Sequence, residues 1–176
     1  PIKQFNGLAI AQNLQFIDVY LNKLGDYQHL VYDSVIEVIK SRFNDDEMHK
    51  YEEAASFGYT ILQAPINVLN MVYPHPSIVT GQPIPVGFEL KDLYGKIGLE
   101  RIMSHSISKN PARKNMYEYK DPSLGKPFAP DEIGNYSNKL KNICNIITKS
   151  SGIVLIYSQY IDAGLIPVAL ALEEMG

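Results

Sequence analysis

Residues 150–176, SSGIVLIYSQYIDAGLIPVALALEEMG, decide the fold class that this sequence predicts. The run Gly152–Tyr157 is continuously apolar, which is typical of a strand buried on both faces in a parallel sheet. A polar loop follows, and Pro167 suits the first turn of a helix that we expect over Ile166–Met175, with Gly176 as its C-cap. Strand, loop and helix make half of a βαβ unit. In open α/β sheets, ligands bind at such a loop.

Upstream of this unit, the sequence predicts a mainly helical body. Apolar residues at positions 140, 143, 144 and 147 fall on one stripe, which predicts a helix over Asn135–Lys149. Further helices are expected over Tyr27–Phe43, Tyr59–Met71 and Leu90–His105, a strand over Leu14–Leu21, and irregular chain over Tyr73–Pro85, Lys109–Pro130 and Ser158–Ile166. Within this chain, Gly152–Tyr157 is expected to find few or no strand partners.

Composition narrows the class of protein. Hydrophobic residues make up 45% of the chain, enough for a packed core, and no apolar run approaches the length of a membrane span. Cys144 is the one cysteine, which excludes an internal disulfide and fits a reducing, intracellular compartment. Residues 91–149 carry 11 Lys and Arg against 6 Asp and Glu, a basic middle that points to a polyanion partner or to a solvated, lysine-dotted surface.

Three segments carry a resemblance to a known family. Val154–Gln159 (VLIYSQ) is similar to motif IV of the Swi/Snf-type translocases, in which an apolar strand ends in Ser-Gln. Tyr136–Leu140 (YSNKL) looks like the segment that opens the preceding helix, and Asp26–Ile36 (DYQHLVYDSVI) looks like the helix that follows the first motor domain. In the order and spacing of these segments, the chain resembles superfamily 2 helicases. In the residues themselves, it resembles the predicted DEAD/SNF-like helicases of large DNA viruses.

The resemblance implies an architecture and a set of partners. It implies a chain that is mainly α with a partial α/β unit, the truncated start of a RecA-like second motor domain after a helical linker or insertion region. Residues 1–24 then end the first motor domain, residues 25–130 form a helical insertion, and residues 131–176 open the second RecA-like domain. The implied partners are nucleic acid, DNA or RNA, and viral transcription or replication machinery, with no membrane, in a virion or host cytoplasm. The parent protein is expected to use ATP and Mg²⁺.

The sequence lacks the motifs that hydrolyse ATP. It contains no Gly-x-x-x-x-Gly-Lys-Ser/Thr loop, and no arginine lies in a recognisable late motif. Asp46–His49 spells D-E-M-H, but it follows polar residues and the end of an expected helix rather than an apolar strand, so we interpret it as a solvated turn. The four histidines are too scattered for a metal site. We therefore expect a fragment of a helicase that is inactive on its own.

The candidate site residues are nucleic-acid contacts rather than catalytic groups. Ser158 and Gln159 can hydrogen-bond a phosphate oxygen, and Tyr160 can stack on a base. The alternative is that Ser158 caps the strand and Tyr160 packs. Four basic residues are candidates for phosphate contact or for a plain solvated surface: Lys109, Arg113, Lys114 and Lys139. The alternative function is a non-catalytic, mostly helical domain that binds nucleic acid or protein.

Overall fold

A computed structural model of the protein describes residues 21–42, 55–106 and 116–176. Within these ranges the structure has six α-helices: α1 (Asp26–Arg42), α2 (Ala55–Asn70), α3 (Gly95–Ile102), α4 (Ile133–Tyr136), α5 (Asn138–Lys149) and α6 (Ile166–Met175). Two strands, β1 (Met103–Ser106) and β2 (Met116–Tyr119), form an antiparallel hairpin in which Met103 lies opposite Tyr119 and Ser106 opposite Met116. The fold is mainly helical, as the sequence predicted. No helix among the described residues is long and apolar enough to cross a membrane.

The spacing of Val31, Val35 and Val38 places them along one face of α1; the first two are buried, whereas Val38 is exposed. Tyr27, Val31 and Val35 are buried along one face of α1 and form a core cluster with residues of α2 and of the chain that follows it. Gln28 is also buried, and its Nε2 donates to the backbone oxygen of Val68 at 2.7 Å. This bond satisfies the amide nitrogen, whereas the buried Oε1 of Gln28 has no hydrogen-bond partner among the described residues. The bond to Val68 therefore fixes the register of α1 against α2.

A second core lies between α3, α5, α6 and the hairpin. Its buried members include Tyr73, Phe128, Leu140 and Cys144. Leu140 and Cys144 come from the predicted α5 stripe, and burial raises the pKa of the Cys144 thiol. Cys144 is therefore a core residue.

Ser137 links the two halves of the body. Its hydroxyl accepts the N–H of Leu140 at 3.1 Å, which caps α5, and donates to the backbone oxygen of Asn70 at 2.6 Å, at the end of α2. The residue is fully buried, so both bonds form away from water. The helix predicted over Asn135–Lys149 is consequently divided, because Ser137 leaves the helical conformation to make this cap.

The helix predicted over Leu90–His105 is wrong in extent. A short 3-10 helix over Leu90–Leu93 precedes α3, and the chain turns extended at Met103 to enter β1. β1 becomes a strand because β2 supplies its hydrogen-bonding partner, in antiparallel register. β2 lies within residues 109–130, which the sequence predicted to be irregular. Pairing at a distance therefore overrode the local signals for helix and loop.

The helix over Ile166–Met175, with Gly176 as its C-cap, is confirmed. The loop expected before it is instead partly a single turn of π-helix over Ile161–Leu165. Helices α1 and α2 also match their predicted positions. The sequence favours an interruption or kink near Pro65, whereas α2 begins at Ala55 and continues through Pro65 as one helix. The strand predicted over Leu14–Leu21 and the D-E-M-H sequence at 46–49 lie outside the described residues, apart from Leu21.

The apolar run at Gly152–Tyr157 is not buried. Ile153, Leu155 and Tyr157 are 102%, 92% and 89% exposed, so the expectation of a strand covered on both faces is wrong in this structure. The run also forms no strand, which corrects the prediction of one. It has no strand partner among the described residues, as the sequence predicted, and its Ile156 packs against the second core. The sheet is a two-stranded antiparallel one rather than part of a parallel sheet. Without neighbouring strands, backbone groups and apolar side chains of the run stay accessible.

Candidate nucleic-acid interface

The hairpin presents a stacked pair of rings. Because side chains alternate across a strand, Met103 and His105 share one face of β1, and register places Tyr119 and Tyr117 opposite them. The rings of His105 and Tyr117 are stacked, with centroids 4.3 Å apart and planes within 12°. His105 is exposed and Tyr117 is half-buried against the core. The pair therefore forms a flat aromatic surface at the solvent edge.

The base of the hairpin is anchored on the second core. Phe128 is fully buried, with its ring 6.3 Å from that of Tyr119 and 6.2 Å from that of Tyr73. The hydroxyl of Tyr119 accepts the backbone N–H of Phe128 at 3.4 Å, and burial raises the pKa of Tyr119. These contacts hold β2 in place, and with it the ring of Tyr117 two residues earlier.

The turn after the apolar run is closed by its own hydrogen bonds. The hydroxyl of Ser158 accepts the N–H of Tyr160 at 3.1 Å, and Leu165 donates to the backbone oxygen of Tyr160 at 3.0 Å. Gly164 is buried here, and a Cβ at this position would lie 2.7 Å from the Ser158 hydroxyl. Only glycine therefore lets Ser158 sit at the centre of the turn.

The hairpin, α3 and this turn line one cavity of about 660 Å³ that is open to solvent. Lys96 and Glu100 of α3 line it, with Lys120 after β2 and Asp162 from the turn. Lys96 and Glu100 form an exposed ion pair at 3.7 Å, and the Lys120 Nζ donates to the backbone oxygen of Glu100 at 2.5 Å. The cavity thus combines two lysines, two carboxylates and the stacked rings of the hairpin.

A buried hydroxyl lies beside this cavity. Tyr73 is fully buried, and its hydroxyl has no hydrogen-bond partner among the residues that the structure describes. Burial raises the pKa of Tyr73, and the nearby Asp162 and Tyr117, both of which line the cavity, raise it further. The Tyr73 hydroxyl is therefore a neutral group that keeps its proton at any physiological pH.

The residues predicted from sequence are distributed unevenly. Ser158, Gln159 and Tyr160 precede Asp162 in the turn, but none of the three lines the cavity. Gln159 is exposed, Tyr160 is half-buried, and the Ser158 hydroxyl is engaged within the turn. Lys109, Arg113 and Lys114 lie outside the described residues, in the segment 107–115 that joins β1 to β2.

Lys139 lies elsewhere, at the junction of α2 and α5. Its Nζ donates to the Oδ1 of Asn70 at 2.7 Å, and burial lowers the pKa of the Lys139 ammonium. This hydrogen bond gives Lys139 a role in joining the two helices. Its contact with a phosphate stays a prediction.

Sequence reasoning missed most of the cavity. No recognisable motif includes five of the residues that line it: His105, Tyr117, Lys96, Lys120 and Asp162. The basic character of residues 91–149 was the only signal that covered the first four of these. The alternation of aromatic residues in Tyr117–Lys120 (YEYK) is a strand signal, but it is too short to identify β2 by itself. The stacking of His105 on Tyr117 depends on strand register, which neither segment specifies alone.

The described side chains contain neither a cluster of metal ligands nor a phosphate-binding loop. No group of three His, Cys, Asp or Glu residues in the described ranges could hold a metal ion. The cavity also has no glycine-rich loop to surround a triphosphate, since α3 begins Gly95-Lys96 without the preceding glycine or the following hydroxyl.

Comparison with protein-family models, with curated proteins and with solved structures finds no match to this chain. The likeness to superfamily 2 helicases therefore rests on the sequence segments quoted above.

Proposed function

We propose that this chain supplies nucleic-acid contacts as part of an ATP-dependent superfamily 2 helicase or translocase. The observation that carries the proposal is the shared cavity: Asp162, in the turn that follows the motif IV-like segment, lines the same space as the hairpin and its two lysines. In the family that the segment resembles, motif IV lies beside the nucleic-acid strand. A surface that joins this turn to lysines and stacked rings has the composition used for single-strand binding.

The proposal assigns the ATPase to sequence outside this chain. Hydrolysis needs the phosphate-binding loop, the Mg²⁺-binding acid and the arginine finger together, and these 176 residues contain none in a recognisable form. We expect phosphate release by the purified chain to equal the buffer background, with or without nucleic acid. Phosphate release that disappears in Asp46→Asn or Glu47→Gln would contradict this and make the D-E-M-H sequence a functional box.

A second candidate is a non-catalytic helical domain that binds nucleic acid or protein. The observation in its favour is that the described residues are mainly helical and contain only a two-stranded antiparallel sheet. The two candidates differ in the reading frame around this chain. The motor proposal requires a phosphate-binding loop and a D-E-x-H box upstream and a Gln/Arg-rich motif downstream. If the surrounding open reading frame lacks these motifs, the second candidate is favoured.

Binding to single strands should depend steeply on salt, because lysines and arginines release counterions from the phosphates that they contact. We expect the double variant Arg113→Glu/Lys114→Glu to bind a fluorescent oligothymidylate more weakly. It should also flatten the slope of log affinity against log salt by about 1.4, from two lost contacts at about 0.7 each. Fluorescence anisotropy at several salt concentrations measures both quantities.

The matched control is Lys40→Glu/Lys149→Glu. It changes the net charge equally at two exposed helix positions that do not line the cavity. We expect it to keep the slope of the unaltered chain. If both double variants change the slope equally, the salt dependence reflects net charge and not contacts made by Arg113 and Lys114. If the unaltered chain does not bind oligothymidylate even at low ionic strength, nucleic acid is not its partner.

A further inference from the structure

The ring stack on the hairpin has one open face. The rings of His105 and Tyr117 are stacked with centroids 4.3 Å apart, and Tyr117 also packs against the second core. His105 is exposed, so the outer face of its imidazole ring is the one that remains accessible. His105 lines the cavity together with Lys120 and Lys96.

Charge alone does not explain what this surface would bind. Lys96 and Lys120 are matched in the cavity by Glu100 and Asp162, so its lysines are balanced by carboxylates. The ion pair between Lys96 and Glu100 is exposed at both side chains and contributes little to stability, so a phosphate can replace the carboxylate as partner of Lys96. The flat, open ring is the feature that distinguishes one polyanion from another.

We propose that the outer face of His105 stacks on one unpaired base of a single-stranded nucleic acid, with the adjacent phosphates on Lys96 and Lys120. The base extends the stack that Tyr117 and His105 begin, and the anchoring of β2 on Phe128 keeps this platform rigid. Every base has a flat aromatic face, so this contact is tolerant of sequence. Duplex bases already stack on one another and are excluded. The proposal rests on the proposed function and names the form of nucleic acid that the site takes.

The chain contains no tryptophan, so one introduced at the platform becomes its sole indole reporter. We expect the fluorescence of His105→Trp to be quenched by oligothymidylate. An abasic oligonucleotide of the same length and charge should leave it unchanged, because this strand keeps its phosphates and lacks bases. A duplex should also leave it unchanged. Leu62→Trp, at an exposed position of α2 that does not line the cavity, is the control that no strand should quench.

Substitutions without a reporter give a second test. We expect His105→Ala to weaken binding of oligothymidylate about fivefold or more, the loss typical of one base stack, and to leave the weaker duplex binding unchanged. His105→Phe keeps a flat ring and should keep the affinity. The exposed position of His105 makes all three variants compatible with the fold.

The outcomes separate this proposal from the one on which it rests. Quenching of the His105→Trp indole by abasic and normal strands alike would overturn base stacking while leaving phosphate contact intact. Equal affinities of the His105→Ala and unaltered chains would do the same. Absence of any anisotropy change at low salt would overturn both proposals.

Discussion

Replacing Phe128 by alanine should lower the free energy of unfolding by about 3–5 kcal/mol, the usual cost of truncating a fully buried phenylalanine. The ring has no solvent exposure and lies between the rings of Tyr73 and Tyr119. Its removal leaves a cavity that these two large side chains cannot fill without leaving their own contacts. Urea unfolding followed by circular dichroism measures the loss.

Phe88→Ala is the matched control for this substitution. Phe88 is only partly buried and lies in a loop. Its ring and that of His75 are in an edge-to-face arrangement, with centroids 4.8 Å apart. We expect it to cost about 1 kcal/mol, because less apolar surface leaves water when this ring packs. Equal losses for the two variants would show that Phe128 does not anchor the second core.

Gly98→Ala should also destabilise the fold, by about 2–3 kcal/mol, although alanine is normally the better helix former. A Cβ at this buried position of α3 would lie 2.5 Å from Cδ2 of Tyr73 and 3.0 Å from the backbone carbonyl carbon of Leu93. Tyr73 is fully buried and cannot move aside without disturbing Phe128. The overlap therefore outweighs the gain in helix propensity.

Gly134→Ala tests the same change where there is room for it. Gly134 lies in α4, and a Cβ there would meet only the flexible side chain of Lys141, at 3.1 Å. We expect this variant to unfold at the same urea concentration as the unaltered chain or slightly higher. If the Gly98→Ala and Gly134→Ala variants are equally stable, this would contradict the close packing of α3 on Tyr73.

Local patterns predicted the helices well where one face is buried. The α1 and α5 stripes have a period close to 3.6, and burial of Val31, Val35, Leu140 and Cys144 follows from it. Pro167 and Gly176 fixed the bounds of α6, because proline fits a first turn and glycine fits the left-handed backbone at the end, here with φ 89°. These features depend on neighbours within one or two turns.

The hairpin and the cavity could not be predicted in the same way. Met103–Ser106 and Met116–Tyr119 are four residues each, too short to show a decisive period, and they become strands through pairing with each other. The apolar run at Gly152–Tyr157 shows the converse: its composition favours a buried strand, but no described strand lies beside it to complete a sheet. Composition indicates what a segment can form, and partners determine whether it does.

The sequence by itself determined a mainly helical chain, the positions of α1, α2 and α6, the buried stripe of α5 and the basic character of residues 91–149. Only the tertiary structure brought His105 onto Tyr117, and Asp162 into the same cavity as Lys96 and Lys120. It also tied Lys139 to Asn70, 69 positions away in the chain. A helix is specified by contacts three or four residues apart, which a sequence shows directly. A binding surface joins residues far apart in the chain, and their meeting depends on how every intervening element packs.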